Sequence, residues 1–90
     1  MVLPGKRIIF SKHAFQRSAE WQFPRAKIRD ALKNGFVCPN REPEKNQCIY
    51  KFRNQYFTIV FCEYAKVIVI VTVYHSGPLE IKKAEKGVVK

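Results

Sequence analysis

Acidic residues are scarce in this chain: seven Asp and Glu stand against seventeen Lys and Arg, leaving a formal charge of +10 on 90 residues. Such a field concentrates polyanions near the surface and speeds their capture. Cysteine is also sparse. Cys38, Cys48 and Cys62 make an odd count with no CxxC spacing, which argues against both a disulfide framework and a zinc ribbon; the expectation is reduced, mostly buried thiols. No apolar run approaches the roughly 20 residues that span a bilayer, and the longest, "VIVIVTVY", has strand length. The opening "MVLPGKRIIF" lacks the apolar core of a secretory signal. These absences lead us to expect a cytoplasmic protein with no membrane association, no metal and no cofactor.

Hydrophobic residues make up 47% of the sequence and charged residues 27%, a globular balance. The length suits one domain spanning 1–90, with a basic tail over 76–90. Basic residues occur early (Lys6, Arg7, Lys12), in a helical stretch (Arg25, Lys27, Arg29, Lys33), in a strand (Lys51, Arg53) and at the end (Lys82, Lys83, Lys86, Lys90). Nucleic acid is the usual target of such a distribution, with an acidic protein next. A merely soluble basic surface is the competing reading.

"KRIIF" reads as a short strand or extended lead-in, and Ser11 as a helix cap. The helix runs to about Trp21, with Ala14, Phe15, Ser18 and Ala19 as its buried stripe and His13 and Arg17 one turn apart on the adjoining flank. Pro24 starts a second helix that buries Ala26, Ile28, Ala31 and Leu32. Gly35 is expected to end it in the left-handed conformation. Trp21 and Phe23, between the helices, are expected in the core. Strands follow: "FVC", "CIYKFR", "YFTIVFCEY" and "KVIVIVTVYH", with a tight turn at Asn54–Gln55 and the last strand central. "LEIKKAEKGVVK" is a tail, helical or frayed. The predicted fold is α+β: two N-terminal helices on one face of a mainly antiparallel sheet of about four strands, the other face open.

Alternation along the last strand separates Val67, Val69, Val71 and Val73, expected against the helices, from Ile68, Ile70, Thr72 and Tyr74. The second set turns polar toward the strand's end, as a site there would require.

"FSKHAFQR", the helix ending in "ALKNG", and the final "VIVIVTVYH" resemble a family of small prokaryotic domains with the pattern hydrophobic-[ST]-x-H-A-x-x-R and a last strand reading Thr-Val-Tyr. That family looks like a branch of the barnase–EndoU–colicin–RelE group of metal-independent ribonucleases, and BrnT and RelE toxins are similar in size, charge and element order. The resemblance covers Ile8 to His75. It implies a RelE-like fold and endoribonuclease activity, and it carries the family's His and Arg onto His13 and Arg17 and its Thr and Tyr onto Thr72 and Tyr74.

Cleavage of RNA by its own 2′-hydroxyl needs a base, an acid and cations for the transition state. Histidine titrates near neutrality and can move the proton, while arginine offers phosphate a planar fork. His13 and Arg17 suit these roles, and Thr72 and Tyr74 could orient phosphate or base. Lys51, Arg53, Tyr56 and His75 are RNA-binding candidates on chemistry alone, tyrosine by stacking. Ordinary structural roles compete with each. A helix-surface pair would explain His13 and Arg17, β-propensity Thr72 and Tyr74, and a solvated edge strand Lys51 and Arg53. Three readings follow: a toxin-like ribonuclease held in check by an acidic antitoxin-like partner, a non-catalytic RNA-binding module, and a protein-interaction domain.

Overall fold

The computed structural model describes residues 5–89; Lys90 of the basic tail lies outside them. The chain runs β1 (Arg7–Phe10), α1 (Lys12–Glu20), a 3-10 turn (Arg25–Lys27), α2 (Ile28–Asn34), β2 (Phe36–Pro39), β3 (Asn46–Phe52), β4 (Gln55–Glu63), β5 (Val67–His75) and α3 (Pro78–Val89). The five strands form one sheet in the order β1-β5-β4-β3-β2. β2 to β5 make an antiparallel meander, and β1 joins β5 in parallel, Arg7 opposite Val67 through Phe10 opposite Ile70.

The architecture is α+β, but not in the expected layout. A strand comes first, the sheet has five strands and is mixed, and β4 rather than β5 is its centre. Nor is the second face open. The basic tail forms α3, which contacts β2 and β3 there and buries Ala84 over the face that carries Ile49 and Val60. Those apolar side chains explain why a helix docks: an open sheet with them in water would forgo about 25 cal/mol for each Å² of apolar surface left uncovered.

The first face carries the main core, where Ala14 of α1 and Ile28, Ala31 and Leu32 of α2 meet Cys48, Phe57, Ile59, Phe61, Ile68, Ile70 and Val73. Expectation and structure part along β5. Val67, Val69 and Val71 are not the core residues; Ile68 and Ile70 are, and then Val73. The cause is a β-bulge: Val60 pairs with Thr72 but Phe61 with Ile70, so Val71 is an extra residue and the alternation changes phase across it. The bulge lies where β1 ends. The Val71 carbonyl accepts the Ser11 hydroxyl at 3.0 Å, and the Ser11 hydroxyl oxygen in turn accepts the Ala14 amide at 3.0 Å as the α1 cap. Ser11 thus ties the strand–helix junction to the bulge.

Smaller departures have local causes. Phe15 and Ala19 are exposed, and Arg25 lies 4.1 Å over the Phe15 ring, covering it with a guanidinium in place of the core. Ala26 sits exposed in the 3-10 turn that Pro24 introduces. The β3–β4 turn is Arg53–Asn54, with φ of 53° and 64°, the primed geometry that matches strand twist. Gly35 has φ −77° and ψ 173°, so it is extended, not left-handed. It is glycine for lack of room: a Cβ there would collide with the Cys48 sulfur and stand 2.6 Å from the Ala31 carbonyl.

Candidate functional site

α1 places His13 and Arg17 on one flank because Ala14 and Ser18 turn inward and their neighbours at −1 turn outward. Both side chains are exposed. Arg17 donates to Glu20 at 2.7 Å, an ion pair open to solvent and so weakly held. Along the same flank, one turn further, comes Trp21. Its ring lies 4.4 Å from that of His75, which in turn meets Phe57 at 4.8 Å.

His75 therefore belongs to the α1 side of the sheet, at the end where β5 finishes. The β3–β4 hairpin reaches the same end, since Phe57 pairs with His75 and the Ser76 amide donates to the Tyr56 carbonyl at 2.9 Å. Lys51 and Tyr56 are cross-strand partners there, with the ammonium 5.8 Å from the ring centroid. The Arg53 guanidinium lies 5.1 Å over Phe52, which packs on Phe23 at 5.7 Å. The four residues singled out for RNA binding, Lys51, Arg53, Tyr56 and His75, thus lie at one end of the sheet, His75 on the α1 face, Lys51 and Tyr56 on the opposite face and Arg53 in the turn between β3 and β4.

Thr72 and Tyr74 do not join His13 and Arg17. Val73, between them, points into the α1–α2 core, so its neighbours point to the α3 face. The Tyr74 hydroxyl donates to Glu80 of α3 at 2.9 Å. Burial, then this bond, push its pKa up to about 12. Glu80 also accepts the Gly77 amide at 2.6 Å, so Tyr74 helps fasten the start of α3. Beside it is a groove of about 800 Å³ between α3 and the β2–β3 loop, with Arg41 and Lys83 on its walls. A smaller concavity lies by Gly35 and Val37; neither is lined by His13 or Arg17.

Tyr50 donates to Asp30 on α2. That bond, then burial, raise the phenol to about 12, and the same bond, with Lys27 and Lys33 nearby, lowers the Asp30 carboxyl. Cys48 is buried with its thiol 2.9 Å from the Ala31 carbonyl, and burial raises it to about 12, the mark of an inert core thiol. Cys38 and Cys62 are half-buried. Among the described residues no helix is long and apolar enough to cross a membrane.

A residue of this end that the sequence places wrongly is Trp21: the expectation puts it in the core with Phe23, yet it is 38% exposed where Phe23 is 2%. The available signal was its spacing: His13, Arg17 and Trp21 recur every fourth residue, the period of one helix flank.

Residues 10–75 match the family model described as "Domain of unknown function (DUF4258)", and the chain belongs to that family. No curated protein and no solved structure matches it.

Proposed function

We propose that this member of the family binds RNA at the hairpin end of its sheet and along the flank of α1, and cleaves it without a metal ion. The observation that carries the binding half is the gathering of Lys51, Arg53, Tyr56 and His75 at the hairpin end of the sheet, where His75 also meets Trp21 at the end of the α1 flank, on a chain of charge +10. Cations there neutralise phosphates and release counterions. Cleavage rests on His13 and Arg17 alone. The His13 imidazole takes the proton of a 2′-hydroxyl, and the oxygen forms a bond to the adjacent phosphorus. Arg17 leaves Glu20 to neutralise the phosphorane oxygens. The bond to the 5′-oxygen then breaks, and that oxygen receives the proton back from the imidazolium, giving a 2′,3′-cyclic phosphate and a free 5′-hydroxyl. His75 does not serve as the second histidine of the same phosphate. Trp21, which it stacks on, lies eight residues beyond His13, about 12 Å along the axis at 1.5 Å per residue.

A second reading, binding without cleavage, is favoured by two observations: His13 is exposed and lines neither of the two concavities described above, and Thr72 and Tyr74 point to the α3 face. An acidic protein partner, antitoxin-like in the first reading, would meet the same cations. The test is cleavage of single-stranded RNA in EDTA by wild type and His13→Ala from matched preparations. The proposal expects cyclic-phosphate ends from wild type and at least a 100-fold slower reaction from the variant, the low end of a general base's contribution. Binding without products would leave the second reading. Equal cutting by both would assign the activity to a contaminant or another residue.

A further inference from the structure

Trp21 is conspicuous for where the chain leaves it. α1 stops there, with the Trp21 amide donating to the Arg17 carbonyl at 2.9 Å. Gln22 then takes φ 56°, a left-handed conformation that non-glycine residues adopt at some cost. This reversal sends Phe23 into the core and leaves the indole at the surface. A side chain of that size gains by burial, yet the fold buries its smaller neighbour instead. Behind the indole stands a row of rings. His75 lies 4.4 Å away, tilted by 33°, and meets the buried Phe57 edge-on at 65°. Trp21 is therefore the outer member of an aromatic cluster anchored in the core. Arg17, held in a solvent-open ion pair with Glu20, is one turn back, about 6 Å along the axis, a span a nucleotide covers between its base and its phosphate.

We propose that Trp21, backed by His75, is a stacking platform for one unpaired nucleobase, and that it makes the domain prefer single-stranded RNA to duplex. This rests on the RNA-binding reading above and adds to it the class of RNA bound. A held indole loses little freedom when a base is laid on it, and every base offers a π-face, so the preference is for strandedness rather than sequence. In an A-form duplex the base faces are stacked inside and cannot reach the indole.

Trp21 is the single tryptophan of the chain, so its emission reports on this site alone. Full-length protein is titrated at low salt with a fluorescein-labelled 12-nucleotide oligouridylate and with a 12-base-pair RNA duplex. Label anisotropy gives binding, and intrinsic fluorescence gives the indole. The inference expects quenching that saturates in step with oligouridylate binding, and no comparable quenching by the duplex. Trp21→Ala should weaken oligouridylate binding by about 5- to 140-fold, the range for one base stacked on an aromatic ring, and Trp21→Phe by much less. Binding that leaves the emission unchanged would overturn the platform and spare the RNA reading, as would Trp21→Ala binding like wild type. No anisotropy change with either RNA would overturn both. If Trp21→Ala does not fold, the wild-type quenching decides alone.

Discussion

Ser11, Gly35 and Val71 each do something a local rule describes only in part. Ser11 is a helix cap by residue type, but its hydroxyl hydrogen goes to a carbonyl sixty residues away. Gly35 stands where a helix stop is wanted, and the reason it cannot be larger is Cys48 on β3. Gly35→Ala should therefore destabilise the fold by about 1–3 kcal/mol through overpacking, even though its backbone conformation suits alanine. Urea unfolding would show a lower midpoint with an unchanged slope. A midpoint equal to that of wild type would mean that β3 yields easily at Cys48. His13 and Arg17 were legible at this scale because one helical turn separates them in any α-helix. Trp21 was not, because its exposure depends on the reversal at Gln22.

Among the elements, α3 changes the reading of the sheet most. It closes the face that a meander with two helices leaves open, and Tyr74, which looked like a site residue at a strand's polar end, is one of its fastenings. The phenol is held at about 12, above its usual value near 10, so the folded state binds the proton more tightly than the unfolded chain. The sign follows: stability from this group is whole below pH 10 and declines as pH rises through 12. Denaturation midpoints measured from pH 9 to 12 should fall, and should fall less in Tyr74→Phe. The slope left in that variant is shared by Tyr50, raised likewise by its bond to Asp30, by Cys48, raised by burial, and by Lys45, raised by its bond to Glu42. An identical decline in both proteins would show that Tyr74 takes no part in the docking of α3. The bulge at Val71 is the other decision at this scale. With it, Ile70 and Val73 face one core; without it, one of them would be turned to the wrong side.

The molecule as a whole is a mixed sheet between two helical layers, carrying its charge on all sides. Only three ion pairs, Lys6–Glu63, Arg17–Glu20 and Lys45–Glu42, are present among the described residues. Most of the seventeen cations are thus left to solvent or to ligands. RNA binding should weaken steeply with salt. If four to six phosphates are neutralised, log affinity should fall against log salt with a slope of about −3 to −4, at 0.7 per phosphate for a single strand. Anisotropy titrations between 50 and 300 mM KCl, a range of ionic strength chosen around physiological screening of about 8 Å, measure it. A flat dependence would contradict the electrostatic half of the proposal.

The sequence by itself determined what is local: the helices around Ala14 and Leu32, the strands, the cap at Ser11, the excess of positive charge and the His13–Arg17 flank. Each follows from a repeat of two or 3.6 residues, or from the chemistry of one side chain. Tertiary structure decided what depends on partners far along the chain. β1 is too short to declare its parallel pairing with β5, and the bulge shows only against the register of β4. α3 looked like a basic tail until the apolar face it covers was formed. For the same reason the candidate site changed shape. Thr72 and Tyr74 turned to the α3 face, while Lys51, Arg53, Tyr56, His75 and Trp21 came to one end of the sheet, because pairing between strands sets which residues are level with one another, and that pairing is absent from any local window of sequence.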